Sequence, residues 1–178
     1  MRSSLQTVHV CHAGQANSRK QVVISDYPAP PVVANIRRNV AANIPKDLDQ
    51  HCRVEGHAWG VLDTPFATEN KHRFDRILAA DCYWLSGQHE NLITSMQHFL
   101  SPDPSARIFV LAGFHTGRAR LASFFETADE LGLEPDEMYE EDDQGERREW
   151  LPERDNGREN HTERKKWLVI ARMKRKGT

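Results

Sequence analysis

The chain has 178 residues, 38% of them hydrophobic and 28% charged, which is enough for one domain with a real core and too little for two that fold independently. Its 24 Lys and Arg against 26 Asp and Glu leave a formal net charge of -2, so there is no basic field for a nucleic-acid backbone, and nucleic acid is excluded as the default partner. No apolar run approaches a membrane span, no basic-then-apolar leader opens the chain, and Cys11, Cys52 and Cys82 show no C-x-x-C spacing, so membrane, secretion, disulfide framework and zinc are not expected and a reducing, cytoplasmic setting is.

His9, Cys11 and His12 stand close together, but no second ligand pair follows them, so no metal is expected. The first confident element is "VVIS", Val22 to Ser25, a short β-branched run that suits a strand buried on both faces. It ends in Asp26-Tyr27 and a proline turn. Val32, Ile36, Val40 and Ile44 then recur at intervals of four until Pro45 stops them, which predicts an amphipathic helix. "CRVEGHAWG", Cys52 to Gly60, reads as a second strand. The apolar run Ile77 to Ala80, capped by Asp81, is a third.

Leu92, Ile93, Met96, Phe99 and Leu100 share a helical face that "SPDPS" terminates. "ARIFVLAGF", Ala106 to Phe114, is another buried strand. Leu121, Phe124, Phe125, Ala128 and Leu131 form a further helical stripe, with Gly132 where a left-handed cap is expected. A hairpin around Gln144-Gly145 and a last strand, Lys166 to Met173, complete the chain. Charge is uneven: Glu134 to Glu163 is rich in carboxylates, and Arg164 to Lys176 is basic.

Alternating strands and helices predict an α/β fold, a mostly parallel sheet covered on both faces with an antiparallel C-terminal hairpin at one edge. Ligands of such sheets bind beyond the carboxyl ends of the strands, which makes Asp26, Trp59, Asp81 and the loop after Phe114 neighbours in a cleft. Asp26 could accept hydrogen bonds from vicinal ribose hydroxyls or merely start its turn. Trp59 could pack on an adenine or belong to the core. Asp81 could hold an amine or cap the helix that follows.

Taken together, Asp26-Tyr27-Pro28 with "NIRRNV" downstream, "HAWG" at 57 to 60, and "AADCYW" at 79 to 84 followed by "GQHENLITSMQHFL" resemble the class I S-adenosylmethionine-dependent methyltransferases. The narrower likeness is to the seven-β-strand protein-lysine methyltransferase group called methyltransferase family 16, and to its fungal nicotinamide N-methyltransferase-like and elongation-factor-1α methyltransferase-like members. It runs from about Gln21 to Arg175. The resemblance implies a Rossmann-like sheet, S-adenosyl-L-methionine as cofactor, and a protein amine as acceptor, a lysine or N-terminus such as that of a translation elongation factor; a small amine such as nicotinamide is the alternative. It makes Asp26 and its neighbour Tyr27 ribose-side residues, Trp59 a side chain against the adenosyl group, and Ala80 a backbone contact. It makes Asp81 the start of a D-x-x-Y/F motif lining the amine pocket, with Tyr83 and Trp84 offering aromatic faces to a cation. Here the motif's fourth position is Trp84.

In that family a first strand leads into a glycine-rich loop and a helix, and the only glycine before Val22 is Gly14. If "TVHV", Thr7 to Val10, were that strand, residues 11 to 21 would leave about the ~10–12 positions that a parallel crossover needs, with nothing over for a glycine loop. The expectation is therefore an N-terminally truncated domain: residues 1–20 an atypical, poorly packed segment, 21–175 an incomplete methyltransferase-like domain. Two unpaired edges inside the sheet and weakened cofactor binding follow from it. An inactive, non-catalytic remnant is a further alternative, and a dinucleotide-dependent dehydrogenase, which shares the strand-end aspartate, lacks G-x-G-x-x-G.

Overall fold

The structure is a computed structural model, in which the backbone of Thr7–His12 and residues 21 to 177 with their side chains are described. In chain order the elements are β1 (Thr7–His12), β2 (Gln21–Asp26), α1 (Pro30–Asn43), α2 (Lys46–Asp49), β3 (Cys52–Gly56), α3 (Pro65–Glu69), β4 (Arg76–Ala80), α4 (His89–Phe99), β5 (Arg107–Gly113), α5 (Arg118–Glu130), β6 (Leu133–Asp142), β7 (Arg147–Glu149), α6 (His161–Arg164) and β8 (Trp167–Arg175). The strands form one eight-stranded sheet in the order β3-β2-β1-β4-β5-β8-β6-β7.

α1, α4 and α5 form where the apolar spacing put them, and the short helices α2, α3 and α6 lie in segments that no such spacing marked. α1 opens with Pro at its first turn and α3 is capped by the Thr64 hydroxyl, which accepts from the Ala67 N–H. α5 is followed by Gly132 at φ +88°, the left-handed position that glycine occupies without a Cβ penalty.

β2, β3, β4 and β5 run the same way, as expected, but the slot between β2 and β4 holds a strand of the opposite sense. β1 pairs antiparallel with both neighbours, Val10 standing opposite Val23 on one side and Ile77 on the other. The sheet is consequently mixed rather than mostly parallel: only β2–β3 and β4–β5 are parallel pairs. The physical reason is connection length. Positions 13 to 20 are too few for a crossover through a helix but ample for an antiparallel return. The two open edges expected inside the sheet are therefore paired along the backbone of Thr7–His12; the side-chain packing of residues 1–20, and any ligand role of His9, Cys11 and His12, lie outside the described residues.

Coverage of the faces also departs from expectation. Along β4 and β5 fully buried residues alternate with half-buried ones. Ile77, Ala79, Ile108, Val110 and Ala112 join Leu92, Ile93, Met96, Leu121 and Phe124 from α4 and α5 in a single core. On the other face α1 covers β2 and β3, with Val33 beside Gly56, while Leu168 of β8 is 45% exposed. The second expected strand is shorter than its apolar run, ending at Gly56; residues 57 to 60 turn away because Ser95 of α4 binds both His57 and the Gly60 N–H.

Candidate functional site

The carboxyl ends of β2, β3, β4 and β5 lie at one end of the sheet; the first three lead into Asp26, Trp59 and Asp81, which the sequence singled out, and the fourth into the loop after Phe114. At the β2 tip Asp26 is 5% exposed. Its Oδ1 accepts from the N–H of Tyr27 at 2.6 Å, and its Oδ2 is buried with no hydrogen-bond partner among the described residues. Burial pushes the carboxyl above its ordinary range, and the bond from Tyr27 only partly offsets this. Tyr27 itself is exposed.

A carboxylate left in this state costs stability at neutral pH, because the folded form holds a proton more tightly than the unfolded chain does. Asp26→Asn is expected to raise stability to urea at pH 7 by on the order of 1 kcal/mol. The gain should shrink below pH ~4, where the unfolded-chain carboxyl is protonated as well.

Beyond β3, His57 is buried against Phe66 and Phe99, and its Nε2 lies 3.0 Å from Ser95 Oγ. Since that oxygen already accepts from the Gly60 N–H, its hydroxyl hydrogen is available to a neutral His57 Nε2. Burial, then the charge of His98, lowers the His57 pKa to about 4. Trp59 packs on the core and lines a small cavity with Ser25, Ile77, Leu92 and Met96. It therefore stands on the α4 face.

Neutral His57 contributes stability that is complete above the ordinary value of 6.5 and is lost as pH falls to about 4, because the unfolded chain takes up the proton first. Denaturation midpoints measured across that window should fall by the equivalent of about 3 kcal/mol, and by clearly less in His57→Gln.

At the β4 tip Ala80 leads into Asp81, an exposed residue at φ +52° whose N–H donates to Leu111 O. Asp81 does not cap the following helix. Cys82 is buried, and burial together with the charges of Asp81 and Asp26 pushes its thiol up to about 12; the two acidic tips thus act on one group. Tyr83 is fully buried, its hydroxyl donating to Ala79 O and its ring 4.5 Å from that of Phe124. Trp84 is half-buried and its carbonyl accepts from Arg120.

Asp81, Tyr83 and Trp84 join Gly113, His115 and Thr116 around a cavity of about 340 Å³. The structure thus brings together the β4 motif and the loop after Phe114, and it sets Trp59 apart from them. His115, Thr116 and Arg118 were not singled out in advance, although the sequence placed their loop at the cleft.

Arg118, the first residue of α5, is 6% exposed. It binds Glu140 at 2.5 Å, Glu159 at 2.7 Å and the carbonyl of Leu151, and its guanidinium carbon lies 4.3 Å from the ring centroid of Phe114 and 5.2 Å from that of Trp150. Burial alone would push Glu140 up, but Arg118 and Arg148 outweigh it and hold that carboxyl below its ordinary range. No sequence pattern signals this cluster, because its members are up to 41 positions apart.

Solved methyltransferase structures are similar to this fold. A TehB-like S-adenosylmethionine-dependent methyltransferase from Corynebacterium glutamicum superposes with a TM-score of 0.54 at 15% identity, over 85% of this chain and 66% of that one. A sarcosine dimethylglycine methyltransferase-like protein from Galdieria sulphuraria gives 0.52 at 12%, over 85% and 68%. At such identities the likeness establishes a methyltransferase-type fold.

Residues 7–131 match the family described as lysine methyltransferase, and the chain belongs to it. Among its relatives, the protein N-terminal and lysine N-methyltransferase EFM7 of Candida glabrata is 32% identical over 139 residues, covering 70% of this chain and 53% of that protein. The Aspergillus fumigatus protein of the same name is 31% identical over 129 residues, 68% and 49%. The chain spans about half the length of the curated relatives it matches.

Proposed function

We propose that the chain carries the amine-accepting half of an S-adenosylmethionine-dependent protein N-methyltransferase acting on a lysine or a peptide N-terminus. The observation that carries this reading is the pairing of the unpartnered Asp26 Oδ2 at the β2 tip with the Asp81–Trp84 cavity at the β4 and β5 tips. The names of the relatives support the acceptor class, and a translation elongation factor in the cytoplasm is the acceptor and setting to test first.

The residues present fit that cofactor at the ribose: an orphaned carboxylate oxygen is the acceptor a vicinal diol needs. Because the oxygen is closed to solvent, a diol reaches it only if the chain around the β2 tip moves. S-adenosylmethionine would supply a methyl group on a sulfonium. Asp26 would hold the ribose, with Ala80 alongside. Asp81 would orient the amine so that its lone pair faces the methyl, the alignment on which such a displacement depends. Trp84 offers an aromatic wall to a cation. Tyr83 shapes the cavity floor from within the core, its hydroxyl already committed.

A second reading has its own observation. β1 runs antiparallel, so at the carboxyl ends of its neighbours it presents the start of a strand and not the loop that leaves one. Among the described residues no glycine cluster stands beside Asp26, which favours a module of this fold that binds partners without transferring methyl groups. Calorimetric titration with S-adenosylmethionine separates the two. Saturable heat that Asp26→Ala abolishes, with incorporation of labelled methyl into a basic N-terminal peptide, is expected for the enzyme. No heat at millimolar cofactor would leave the module.

The acidic stretch contributes less to substrate attraction than its composition suggests. Asp136 is bound by Arg107 and Arg172, Glu134 by Lys174, Glu141 by Arg147, and Glu140 by Arg118 and Arg148. Much of its negative charge is neutralised within the fold.

A further inference from the structure

The geometry points to His115 as the group that accepts the proton of the incoming amine, with an α-amine at a peptide N-terminus as its best-matched acceptor. This rests on the amine-site reading of the cavity. An amine attacks through its lone pair, yet an α-amine titrates near ~7.7–8.0 and a lysine amine near ~10.4, so each arrives largely as the ammonium ion at neutral pH. Something must take the proton: the amine N–H bond breaks, its electron pair stays on nitrogen, and the proton moves to a base that becomes cationic.

A carboxylate suits the holding of an ammonium ion better than its deprotonation. A carboxylate ordinarily titrates near ~3.9 and an imidazole near ~6.5. Transfer from an α-amine is then uphill by roughly 4 pK units to a carboxylate and by roughly 1.4 to an imidazole, and transfer from a lysine amine to an imidazole is again uphill by roughly 4. An imidazole in general therefore matches an α-amine far better than a lysine amine.

Four histidines of this chain are spent on structure: His57 on Ser95, His72 on Leu100 O, His89 on Tyr83 O and His98 on Ala67 O. His115 is exposed, borders the same cavity as Asp81 and Trp84, and has no hydrogen bond among the described residues. Its ring is folded back over its own strand: a Cβ on Gly113 would stand 2.9 Å from Nε2 and 3.1 Å from Cδ2. Glycine at 113 is what lets the imidazole lie there.

The charged groups around this loop are accounted for. Arg118 and Glu159 are paired with each other, Arg120 donates to Trp84 O, and the Tyr83 hydroxyl donates to Ala79 O. Asp81 has no ion pair among the described residues, and it is the carboxylate that lines the same cavity as the ring.

The test has one arm that needs no methyl transfer. The ring Cε1–H resonance of His115 is assigned as the one missing from His115→Gln, and the full chain is titrated at pH 7.4 with a short peptide bearing a free α-amine and with its N-acetylated form. A shift of that resonance with the free peptide and not with its N-acetylated form is expected. Equal responses to the two peptides, or none, would overturn the assignment.

The second arm follows kcat against pH on the free peptide. His115→Gln should lose about 6- to 11-fold at pH 7, the factor set by an amine that titrates near ~7.7–8.0, recover as pH rises, and match the parent above the amine's own titration. Gly113→Ala, which displaces the ring without removing it, should give the same profile, and both variants should keep the parent's cofactor-binding heat. A loss equal at all pH values would show a merely structural role and reject the proton transfer. If the parent shows the resonance shift but transfers no methyl, His115 stands as an amine-facing base and the methyltransferase reading is the one that fails.

Discussion

Replacing Arg118 with Met should lower stability to urea by about 3–5 kcal/mol. The reason is what it leaves behind. Glu140 has no exposed surface, and with Arg118 gone its carboxylate keeps only the half-buried Arg148 and the more distant Arg154 at 3.4 Å. An ion pair whose two members are desolvated together is costly to break from one side, since the surviving charge cannot return to water. Arg118→Met combined with Glu140→Gln should recover more than half of the loss, because no uncompensated charge then remains. A single variant of unchanged stability would show that the cluster is solvated in the working protein. The substitution should also loosen the 113–117 loop, since the guanidinium packs against the stacked rings of Phe114 and Trp150.

Asp81→Asn should leave the heat of cofactor binding unchanged and lower methyl transfer by about 100-fold or more. The side chain is exposed at the mouth of the cavity and carries no ion pair among the described residues, so the fold loses little. What disappears is the charge that holds an ammonium group and the acceptor that orients an amine. The backbone at this residue is left-handed, φ +52°, a conformation that asparagine adopts more readily than most residues; the geometry should survive, and the comparison isolates the charge. Equal transfer rates in the variant and the parent would remove Asp81 from the chemistry.

Much of the end of the sheet that binds ligands was legible in the chain itself. A strand buried on both faces must be a short β-branched run, and a turn at its end must be polar; "VVISD" and "RILAAD" therefore announced two acidic strand tips, and both stand at the same end of the sheet. The helix stripes worked for a related reason. Burial of one face is decided by periodicity, so Leu92, Ile93, Met96 and Phe99, and then Leu121 and Phe124, were bound to point inward once helical. The place of Tyr83 was not legible, because an aromatic in a motif carries no mark of whether its ring faces a ligand or Phe124. Trp59 posed the same ambiguity, and the Ser95 bonds to the 57–60 turn resolved it toward α4.

By itself, then, the sequence determined the main strands and the three long helices, which of their faces are apolar and which carboxylates end the strands, because those properties are written in neighbours a few residues apart. Only the tertiary structure decided the direction of the central strand, the burial of Asp26, the Arg118 cluster and the seat of His115 over Gly113. The burial of Asp26 and the Arg118 cluster depend on groups far apart in the chain meeting where water is excluded, and there the energy of a charge or a hydrogen bond is set by its surroundings and not by its type.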